Sequence, residues 1–392
     1  MNQNPRVALY CDPPSHHFLS DRFFVRDAAG HGGDQLMAPY AHLRDFLNAR
    51  NVPVHTIDYL PSRPDGTRNI YLSFGRLSNY RELANRPDTV LSAFFAMECP
   101  TVDPHMYRDL HRAQDSFKRI LSWSDSPSLQ PFAGGALRCL PLHWPQSFES
   151  VHETIWNRTD RRFLVMINGN KIPRYRSHCR ELYSERLRAI EYFARTGDID
   201  LYGIGWDGPP YRVGRAFVPG TFRKVPLPAT VQGINRKLSA QWQRLFPDPQ
   251  VVAAQRVYRG VTNSKSETLG QYKFSICFEN SVLRGWVTEK IFDCFFAGTI
   301  PIYWGAPNIE DYIPGECFID MRRFQNFTEL KGYLKSLTDR DIAAFKESAR
   351  SFLRSPRFRP FTKQAFAELI LRIIEEDSGV TLDSEPMAST AS

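Results

Sequence analysis

Long apolar runs are missing from this sequence of 392 residues. The runs Phe94–Met97 and Ile300–Trp304 are soon interrupted, and neither approaches the roughly 18 apolar residues that a membrane-spanning helix needs. The first six residues, MNQNPR, lack the apolar core of a secretion signal. These absences argue against a membrane-spanning or exported protein, so we expect a cytoplasmic location.

Cysteine pairs are missing as well. The seven cysteines are an odd number, and none of them forms a C-x-x-C pair or a zinc-like spacing with another. This excludes a disulfide scaffold and a zinc module of the usual kinds. We interpret the cysteines as buried thiols.

The sequence has an excess of positive charge. Its 50 basic residues outnumber 42 acidic ones and give a formal charge of +8. Such a balance favours a phosphorylated substrate, a polyanion or an acidic membrane surface, and charge alone does not choose among them. The basic residues Arg354, Arg357, Arg359 and Lys363 could hold the chain peripherally against an anionic inner membrane. A solvated helix end explains them equally well.

Short β-like runs alternate with helical stretches along the chain. Strands are expected at Val7–Tyr10, Val54–Tyr59, Ile70–Phe74 and Val90–Phe95, with a helix over Gln35–Asn51. This alternation predicts a parallel sheet covered by helices. A Pro-rich stretch, 127–145, interrupts it, and the alternation restarts near residue 160. We therefore predict α/β domains over 1–158 and 159–355, followed by a C-terminal helix and loose tail over 356–392.

A glycine pattern at 203–208, GIGWDG, fits the G-x-G-x-x-G spacing of dinucleotide-binding folds and follows a predicted strand. The next two residues are Pro209 and Pro210, which disfavour a helix whose N–H groups would face a pyrophosphate. We interpret the pattern as a plain turn.

A second pattern, Asp198-Ile199-Asp200, has the D-x-D form by which some sugar transferases hold a divalent cation. Here the acids come before the strand, whereas ligand-facing carboxylates usually follow the carboxyl ends of parallel strands. We interpret it as a solvated turn and assign no metal to it.

The most informative segment runs from Tyr272 to Phe292. It reads as a buried strand that ends in Glu279 and Asn280, followed by a loop and a helix over Val287–Ala297 that is capped by Thr288. The N–H groups at the start of a helix attract phosphate, Lys290 adds a full charge, and Glu289 could accept hydrogen bonds from sugar hydroxyls. On composition alone, a solvated Glu-Lys pair on an amphipathic helix explains the same residues.

The motifs of this region resemble the donor-site signature of the α-1,3/4-fucosyltransferase family. They are FENS (278–281), VTEK (287–290), AGTIPIYWG (297–305) and YIP (312–314), at fixed internal spacing. The resemblance implies a bacterial-type inverting enzyme of the GT-B fold, with two Rossmann-like domains facing each other across a cleft. It also implies that GDP-fucose binds mainly to the C-terminal domain and that no cofactor is required, a divalent cation such as Mn²⁺ being at most stimulatory.

Several side chains match family positions at the donor. Asn280, Glu289 and Lys290 are three of them, and Trp286 stands where bacterial relatives carry tyrosine. A helix around 182–190 resembles the one whose arginine pairs with the diphosphate, and Arg186 is the matching position, with Arg188 as the alternative. A bidentate guanidinium there would neutralise the leaving group without a metal.

Glu98 is the candidate catalytic base. It lies in the run FAMECP (95–100), where family members carry a glutamate at the end of a strand as the proposed general base. An inverting transfer needs one carboxylate to take the proton from the attacking hydroxyl. Without the resemblance, a carboxylate that caps its own strand end explains Glu98 better.

We therefore expect transfer of L-fucose from GDP-fucose to a glycan hydroxyl, with the 3-OH of GlcNAc or Glc as the expected site and an α-1,3 or α-1,4 linkage. The acceptor would be an oligosaccharide or a lipid-linked glycan such as a lipopolysaccharide precursor, bound by the N-terminal domain, with no nucleic acid as partner. The alternatives are a GT-B transferase that uses another nucleotide sugar and a non-catalytic glycan-binding protein. The basic surplus also leaves a nucleic-acid-binding module as a rival, although no aromatic-basic recognition motif supports it.

Overall fold

The computed structural model describes residues 6–26, 35–171, 179–208 and 247–382, and these form two parallel β-sheets flanked by helices. The strands are β1 (Val7–Asp12), β2 (Val54–Thr56), β3 (Arg68–Phe74), β4 (Thr89–Ala96), β5 (Arg119–Ser122), β6 (Leu140–Pro141), β7 (Arg162–Ile167), β8 (Ile199–Tyr202), β9 (Tyr272–Phe278), β10 (Ile300–Trp304) and β11 (Ile319–Asp320). The helices are α1 (Ala38–Asn48), α2 (Tyr80–Leu83), α3 (Pro104–Ala113), α4 (Ser126–Leu129), α5 (Glu153–Trp156), α6 (Tyr183–Ala194), α7 (Pro249–Arg256), α8 (Lys265–Leu269), α9 (Glu289–Ala297), α10 (Phe327–Ser336), α11 (Asp339–Leu353) and α12 (Lys363–Ser378). Single 3-10 turns lie at His16–Phe18, Arg22–Phe24, Ile57–Tyr59, Gln130–Phe132, Ile309–Asp311, Gly315–Cys317, Met321–Arg323 and Arg359–Phe361.

The first sheet has six strands in the order β2-β1-β3-β4-β5-β6, all of them parallel. In β3 and β4 the last six residues are buried without alternation, as expected for a parallel sheet covered on both faces. Large aromatic side chains fill the space between sheet and helices, including the stacked pair Phe74 and Phe95, whose ring centroids are 4.6 Å apart.

The second sheet has five parallel strands in the order β11-β10-β9-β7-β8. Counted from its own first strand, this is the order 2-1-3-4-5, which the first five strands of the first sheet also follow. In such sheets the order reverses between the first and third strands, and ligands bind beside the carboxyl ends of the strands at that point. The prediction of two Rossmann-like α/β units is confirmed.

Local sequence signals set several helix ends. Asp103 caps α3 by accepting a hydrogen bond from the Met106 N–H, and Pro104 occupies the first turn, where a missing N–H costs nothing. Thr338 and Asp341 form a reciprocal capping box at the start of α11. Helix α9 ends at Gly298, whose φ of 66° is the left-handed conformation that glycine adopts without strain.

Helix α12 packs on the first sheet although it follows the second sheet in the chain. Its apolar residues Phe366, Ile370 and Ile374 join the core of the first domain. Near its end, the buried Asp377 carboxylate binds the Arg119 guanidinium and accepts from the Ser92 hydroxyl. The C-terminal helix expected within 356–392 is therefore present, and it packs on the first domain rather than the second.

The domain limits at 158/159 and 355/356 stay predictions, since the structure shows only that strands of the first sheet end at Pro141 and those of the second begin at Arg162. The tail expected after residue 382 lies outside the described residues. Within the described ranges, no helix combines the length and apolar character that crossing a bilayer requires. No disulfide joins the cysteines, and five of the seven are buried.

Candidate functional site

The loop between β9 and α9 brings a buried carboxylate to the start of a helix. Helix α9 begins at Glu289, two residues later than the predicted start at Val287, because Thr288 is extended. The Thr288 side chain does not cap the helix N–H groups; its hydroxyl donates instead to the Glu279 carboxylate, 2.9 Å away. The prediction that Thr288 caps the helix is therefore wrong. Its hydroxyl instead links the start of α9 to Glu279 at the end of β9.

Glu279 is the residue of this site to which the sequence analysis gave no role. Its side chain is 0% exposed, and its carboxylate accepts from the Thr288 N–H at 2.9 Å and from the Lys290 ammonium at 3.1 Å. A buried carboxylate is tolerated only when it is paired and hydrogen-bonded, as here. Its sequence signal is a charged residue directly after a buried strand.

Lys290 and Glu289 belong to a chain of alternating charges. Lys290 Nζ lies 3.7 Å from a Glu289 oxygen, and Lys265 Nζ lies 3.8 Å from the same oxygen. Lys265 in turn lies 3.2 Å from Asp293, one turn further along α9. The cations near the start of α9 are therefore balanced by carboxylates of the protein itself.

The charge chain changes the pKa values of its members. Burial opposes ionisation of Glu289, yet Lys290 and Lys265 lower its pKa to about 2. Burial likewise opposes the charge on Lys290, but Glu279 and Glu289 raise the pKa of its ammonium above the usual range. Both side chains are about one-quarter exposed, so they remain charged and reachable from solvent at neutral pH.

Arg186 joins the ends of two neighbouring strands at the reversal point of the second sheet. It is 4% exposed, and its guanidinium donates to the Phe278 carbonyl at the end of β9. It also donates to the side-chain oxygens of Asn168, after β7, at 2.9 Å and of Asn280, after β9, at 3.0 Å. The alternative, Arg188, is exposed and binds Glu185 instead.

Arg186 and Lys290 line the same small cavity, of about 50 Å³, beneath α9. They also affect each other electrostatically, since Arg186 opposes the charge on Lys290. A larger cavity of about 670 Å³ lies at the opposite edge of the second sheet, beside β11, and none of the predicted site residues lines it. The predicted donor cations thus lie on one side of the second domain.

Trp286 is buried at the contact between the two domains. It is 1% exposed, and its ring packs edge-on against Trp123 of the first domain, with 5.3 Å between ring centroids. Its indole N–H has no hydrogen-bond partner among the described residues. The structure therefore shows an inter-domain packing contact, and the predicted contact of Trp286 with the donor stays a prediction.

Glu98 follows β4, at the carboxyl end of the first sheet, and faces the second domain. The residue is exposed, and its backbone carbonyl accepts from the Tyr107 hydroxyl at 2.7 Å. Surrounding protein raises the pKa of its carboxyl to about 7, Lys290 acts in the opposite direction, and Glu289 adds to the rise. Glu98 is thus an accessible carboxyl that lies close enough to the start of α9 for the charges of Lys290 and Glu289 to shift its pKa.

Residues next to Glu98 form contacts between the two domains. Thr101 shares a hydrogen bond with Ser281, three residues after β9 ends, and the Cys99 thiol lies 3.6 Å from the same hydroxyl. All three residues are buried. The carboxyl ends of β4 and β9 are therefore joined across the domain boundary, and this brings Glu98 together with Glu289 and Lys290.

The two patterns set aside in the sequence have structural explanations. Gly203 and Gly205 adopt φ values of 134° and 85°, and a Cβ at Gly203 would lie 2.2 Å from the Asn168 carbonyl oxygen, so the first glycine permits a close backbone approach. Pro209 and Pro210 lie outside the described residues.

The D-x-D acids are held by basic side chains. Asp198 pairs with Lys331 and Lys335, while Asp200 pairs with Arg162 and Arg259. Across the described ranges, no group of three or more His, Cys, Asp or Glu side chains could hold a metal ion.

Comparison with known proteins gives a family for the second domain. Residues 251–347 match the family model described as glycosyltransferase family 10 (fucosyltransferase), C-terminal part. The α-(1,3)-fucosyltransferase FucT of Helicobacter pylori is 47% identical over 74 residues, which are 19% of this chain and 16% of that protein. An α-(1,4)-fucosyltransferase of Arabidopsis thaliana is 39% identical over 75 residues, or 19% of each chain. A GDP-fucose protein O-fucosyltransferase 3 of Xenopus laevis is 42% identical over 74 residues. The matched region thus spans less than one-fifth of each of the first two relatives.

Solved structures extend the likeness to the fold of the whole chain. A glycosyltransferase from Rickettsia africae aligns with 95% of this chain and 99% of its own, at 10% identity and a TM-score of 0.50. An α1,3-fucosyltransferase solved with GDP aligns with 98% of this chain and 95% of its own, at 14% identity and a TM-score of 0.46. The chain has the GT-B fold, and the family resemblance of its second domain is confirmed.

Proposed function

We propose that this chain, whose residues 251–347 match the family model of glycosyltransferase family 10 (fucosyltransferase), transfers L-fucose from GDP-fucose to a glycan with inversion at the anomeric carbon. A single observation carries the proposal. An accessible carboxyl with a pKa of about 7 faces, across the domain boundary, a helix start that carries a lysine and an ionised glutamate.

Glu98 is the proposed general base. A pKa near the working pH leaves a substantial fraction of the carboxyl ionised and still basic enough to accept a proton, which is the optimum for general base catalysis. The glutamate would take the proton of the acceptor hydroxyl as its oxygen attacks the anomeric carbon, and GDP would leave on the opposite face. We propose α-1,3 or α-1,4 linkage to the 3-OH or 4-OH of a GlcNAc or Glc residue.

The start of α9 is the proposed binding site for the diphosphate. Lys290 and the first N–H groups of α9 would bind the phosphate oxygens and stabilise the charge that develops on the leaving GDP. Arg186 already donates to Phe278, Asn168 and Asn280, so we propose that it acts either by holding this strand edge in place or by exchanging one of these bonds for a phosphate contact. Trp286 would shape the site by packing.

Glu289 is proposed to accept hydrogen bonds from the hydroxyls of the donor, because Lys290 and Lys265 keep its carboxylate ionised. These residues supply cationic and N–H groups for the diphosphate without a metal, so we propose that no cofactor is required and that Mn²⁺ is at most stimulatory.

The test is incubation of the protein with GDP-fucose and a panel of neutral oligosaccharides, a lipid-linked glycan and a Ser/Thr-containing peptide, read by mass spectrometry. Transfer to a saccharide supports the proposal, and NMR of the product gives its linkage. Transfer only from GDP-mannose or a UDP-sugar would establish the rival transferase. Saccharide binding without turnover of any donor would establish the non-catalytic rival, and transfer only to the peptide would overturn the glycan acceptor.

A further inference from the structure

Glu279 takes no part in the proposed function, although it lies beside the proposed diphosphate site. Its backbone N–H donates to the Trp304 carbonyl at 2.8 Å, so the main chain at Glu279 continues the pairing of β9 with β10. Its side chain has room because residue 305 is glycine, where a Cβ would lie 2.5 Å from Glu279 Cγ. The edge of the second sheet therefore fixes the position of this buried carboxylate.

Both oxygens of the Glu279 carboxylate are used at the start of α9. One accepts from the Thr288 N–H at 2.9 Å, and the other accepts from the Lys290 ammonium at 3.1 Å. The Thr288 hydroxyl lies 2.9 Å from each carboxylate oxygen, and it accepts from the same ammonium at 2.9 Å. Glu279, Thr288 and Lys290 thus form a closed triangle of hydrogen bonds.

This triangle leaves the Lys290 ammonium one N–H for a ligand. An ammonium has three N–H donors, and two of them are directed to Glu279 and Thr288. Glu289, whose oxygen lies 3.7 Å away, is too distant for a hydrogen bond. The third N–H therefore has no hydrogen-bond partner among the described residues, and the lysine side chain is 27% exposed.

The pairing of Glu279 with Lys290 is better suited to fixing geometry than to stabilising the fold. A buried ion pair contributes little stability, because desolvation of the two charges offsets their attraction. A lysine side chain has four rotatable bonds and samples many positions unless its ammonium is held. Groups that stabilise charge in a transition state act best when they are in place before the reaction.

We propose that Glu279 is a positioning residue, which together with Thr288 holds the Lys290 ammonium so that its third N–H meets an oxygen of the donor diphosphate. Glu279 itself is 0% exposed and does not touch the donor. The inference rests on the proposed function, because it explains how the same site acts on the leaving group. Negative charge builds on the phosphate oxygen as the bond to fucose breaks, and a fixed cation stabilises it better than a mobile one.

Glu279 also contributes to the charge on Lys290. Burial lowers the pKa of the ammonium, but Glu279 and Glu289 raise it above the usual range, and Arg186 on α6 acts in the same direction as burial. The other charged groups near Lys290 are Lys265 on α8 and Glu98 of the first domain. Without the Glu279 carboxylate, the pKa of Lys290 falls and the ammonium loses its proton at a lower pH. A purely structural role of Glu279 would not produce this change.

Steady-state kinetics of three variants test the positioning. Glu279→Gln keeps the shape of the side chain and removes its charge, and we expect kcat to fall by about 10²-fold, as for a misplaced catalytic group. The KM for GDP-fucose should stay within about threefold, because the loss falls mainly on the transition state. Thr288→Val should lower kcat by about tenfold, whereas Thr288→Ser keeps the hydroxyl and should retain more activity. Glu347→Gln, at an exposed position on α11, is the matched control.

Acylation of lysines measures the charge on Lys290 without any transfer of fucose. Only the neutral amine reacts with acetic anhydride, so at about pH 8 the labelling rate rises about tenfold for each unit by which the pKa falls. Mass spectrometry should therefore show faster labelling of Lys290 in Glu279→Gln than in the wild type, with the half-exposed Lys335 on α10 as internal reference. GDP should protect Lys290 in the wild type and protect it less in the variant.

Three results would overturn the inference. One is a kcat within about threefold of the wild type in both Glu279→Gln and Thr288→Val. Another is equal labelling of Lys290 in Glu279→Gln and the wild type. The third is a loss of kcat matched by an equal loss of folded protein in thermal unfolding, because Glu279 would then be purely structural. If the wild type transfers no fucose, the proposed function fails, and labelling with and without GDP still decides whether Glu279 holds Lys290.

Discussion

The two faces of the cleft each present a glutamate, and their surroundings move the two pKa values in opposite directions. Glu98 of the first domain is exposed, and surrounding protein raises its pKa to about 7. The Glu289 side chain of the second domain is about one-quarter exposed, and two lysines lower its pKa to about 2. Surrounding protein raises the pKa of both carboxyls, so the close lysines, together with hydrogen bonds to the Glu289 carboxylate, account for the difference.

This difference separates two chemical roles. A carboxyl that titrates near neutrality can exchange a proton during a reaction, whereas one that is ionised at every working pH serves as a fixed hydrogen-bond acceptor and charge. Lys290 contributes to both pKa values, since it lowers that of Glu98 and that of Glu289. The difference between the pKa values of Glu98 and Glu289 therefore depends in part on Lys290, which acts on both carboxyls. The following variants test this difference.

The largest effect is expected from Glu98→Gln, which keeps the shape of the side chain and removes the proton acceptor. The kcat for transfer should fall by about 10²-fold to 10⁴-fold. The affinity for GDP-fucose, measured by calorimetry, should change little. Glu82→Gln, at an exposed position on α2, is the matched control. Full turnover by Glu98→Gln would rule out the catalytic assignment.

The next largest effect is expected from Lys290→Met, which removes the cation shared by the two faces. Loss of one preorganised group that stabilises developing charge lowers the rate by about 10²-fold to 10³-fold, and kcat/KM for GDP-fucose should fall by this amount. Lys335→Met, on α10, is the control, because that lysine is half-exposed and contacts Asp198 and the Phe163 ring, away from α9.

Lys290→Met also leaves the Glu279 carboxylate buried without its cation, so stability must be measured beside activity. The double variant Glu279→Gln/Lys290→Met removes both charges and should recover the unfolding temperature without recovering turnover. Recovery of both would mean that Lys290 stabilises the fold and does not act on the donor.

A smaller effect is expected from Glu289→Gln, which removes the fixed negative charge. The affinity for GDP-fucose should fall by about tenfold, as for the loss of one hydrogen bond to a charged acceptor, and the affinity for GDP alone should fall less. Glu267→Gln, at an exposed residue of α8, is the control. Equal losses for GDP and GDP-fucose would contradict a contact with the sugar.

A change of pH tests the same comparison without any substitution. Glu98 must be ionised to accept a proton, so kcat/KM should decrease as the pH falls below about 7, by about tenfold per unit on the acidic limb. Glu289 has a pKa of about 2 and does not titrate in this range. Rate profiles from about pH 5.5 to about pH 8.5 check the expectation. The residual activity of Glu98→Gln should not decrease at acidic pH. If it still decreases, the titrating group is not Glu98.

The sequence predicted most of the secondary structure of both domains. The strands predicted at Ile70–Phe74 and Val90–Phe95 lie within β3 and β4, because each is a short apolar run between polar turns. Helix bounds differ by a few residues, as in α1, which the structure begins at Ala38 rather than at Gln35. Amphipathic spacing marks the middle of a helix better than its ends.

The sequence could not predict which distant residues meet. Asp12 and Arg76 are 64 positions apart, and only the strand order brings them to one edge. Glu279 and Glu289 are both polar residues beside apolar runs, and only packing shows that the first is buried and tied to Thr288. Trp286 is a further case, since its partner Trp123 belongs to the other domain.

The position of α12 has a consequence for the biogenesis of this chain. A ribosome releases residues 7–141, which supply every strand of the first sheet, long before it releases Phe366 and Ile370, which cover part of that sheet's core. While the second domain is being synthesised, the part of the first domain that α12 will cover is therefore exposed to solvent. Exposed apolar surface of this kind promotes aggregation. A chaperone that binds nascent chains is accordingly expected to protect this region until synthesis is complete.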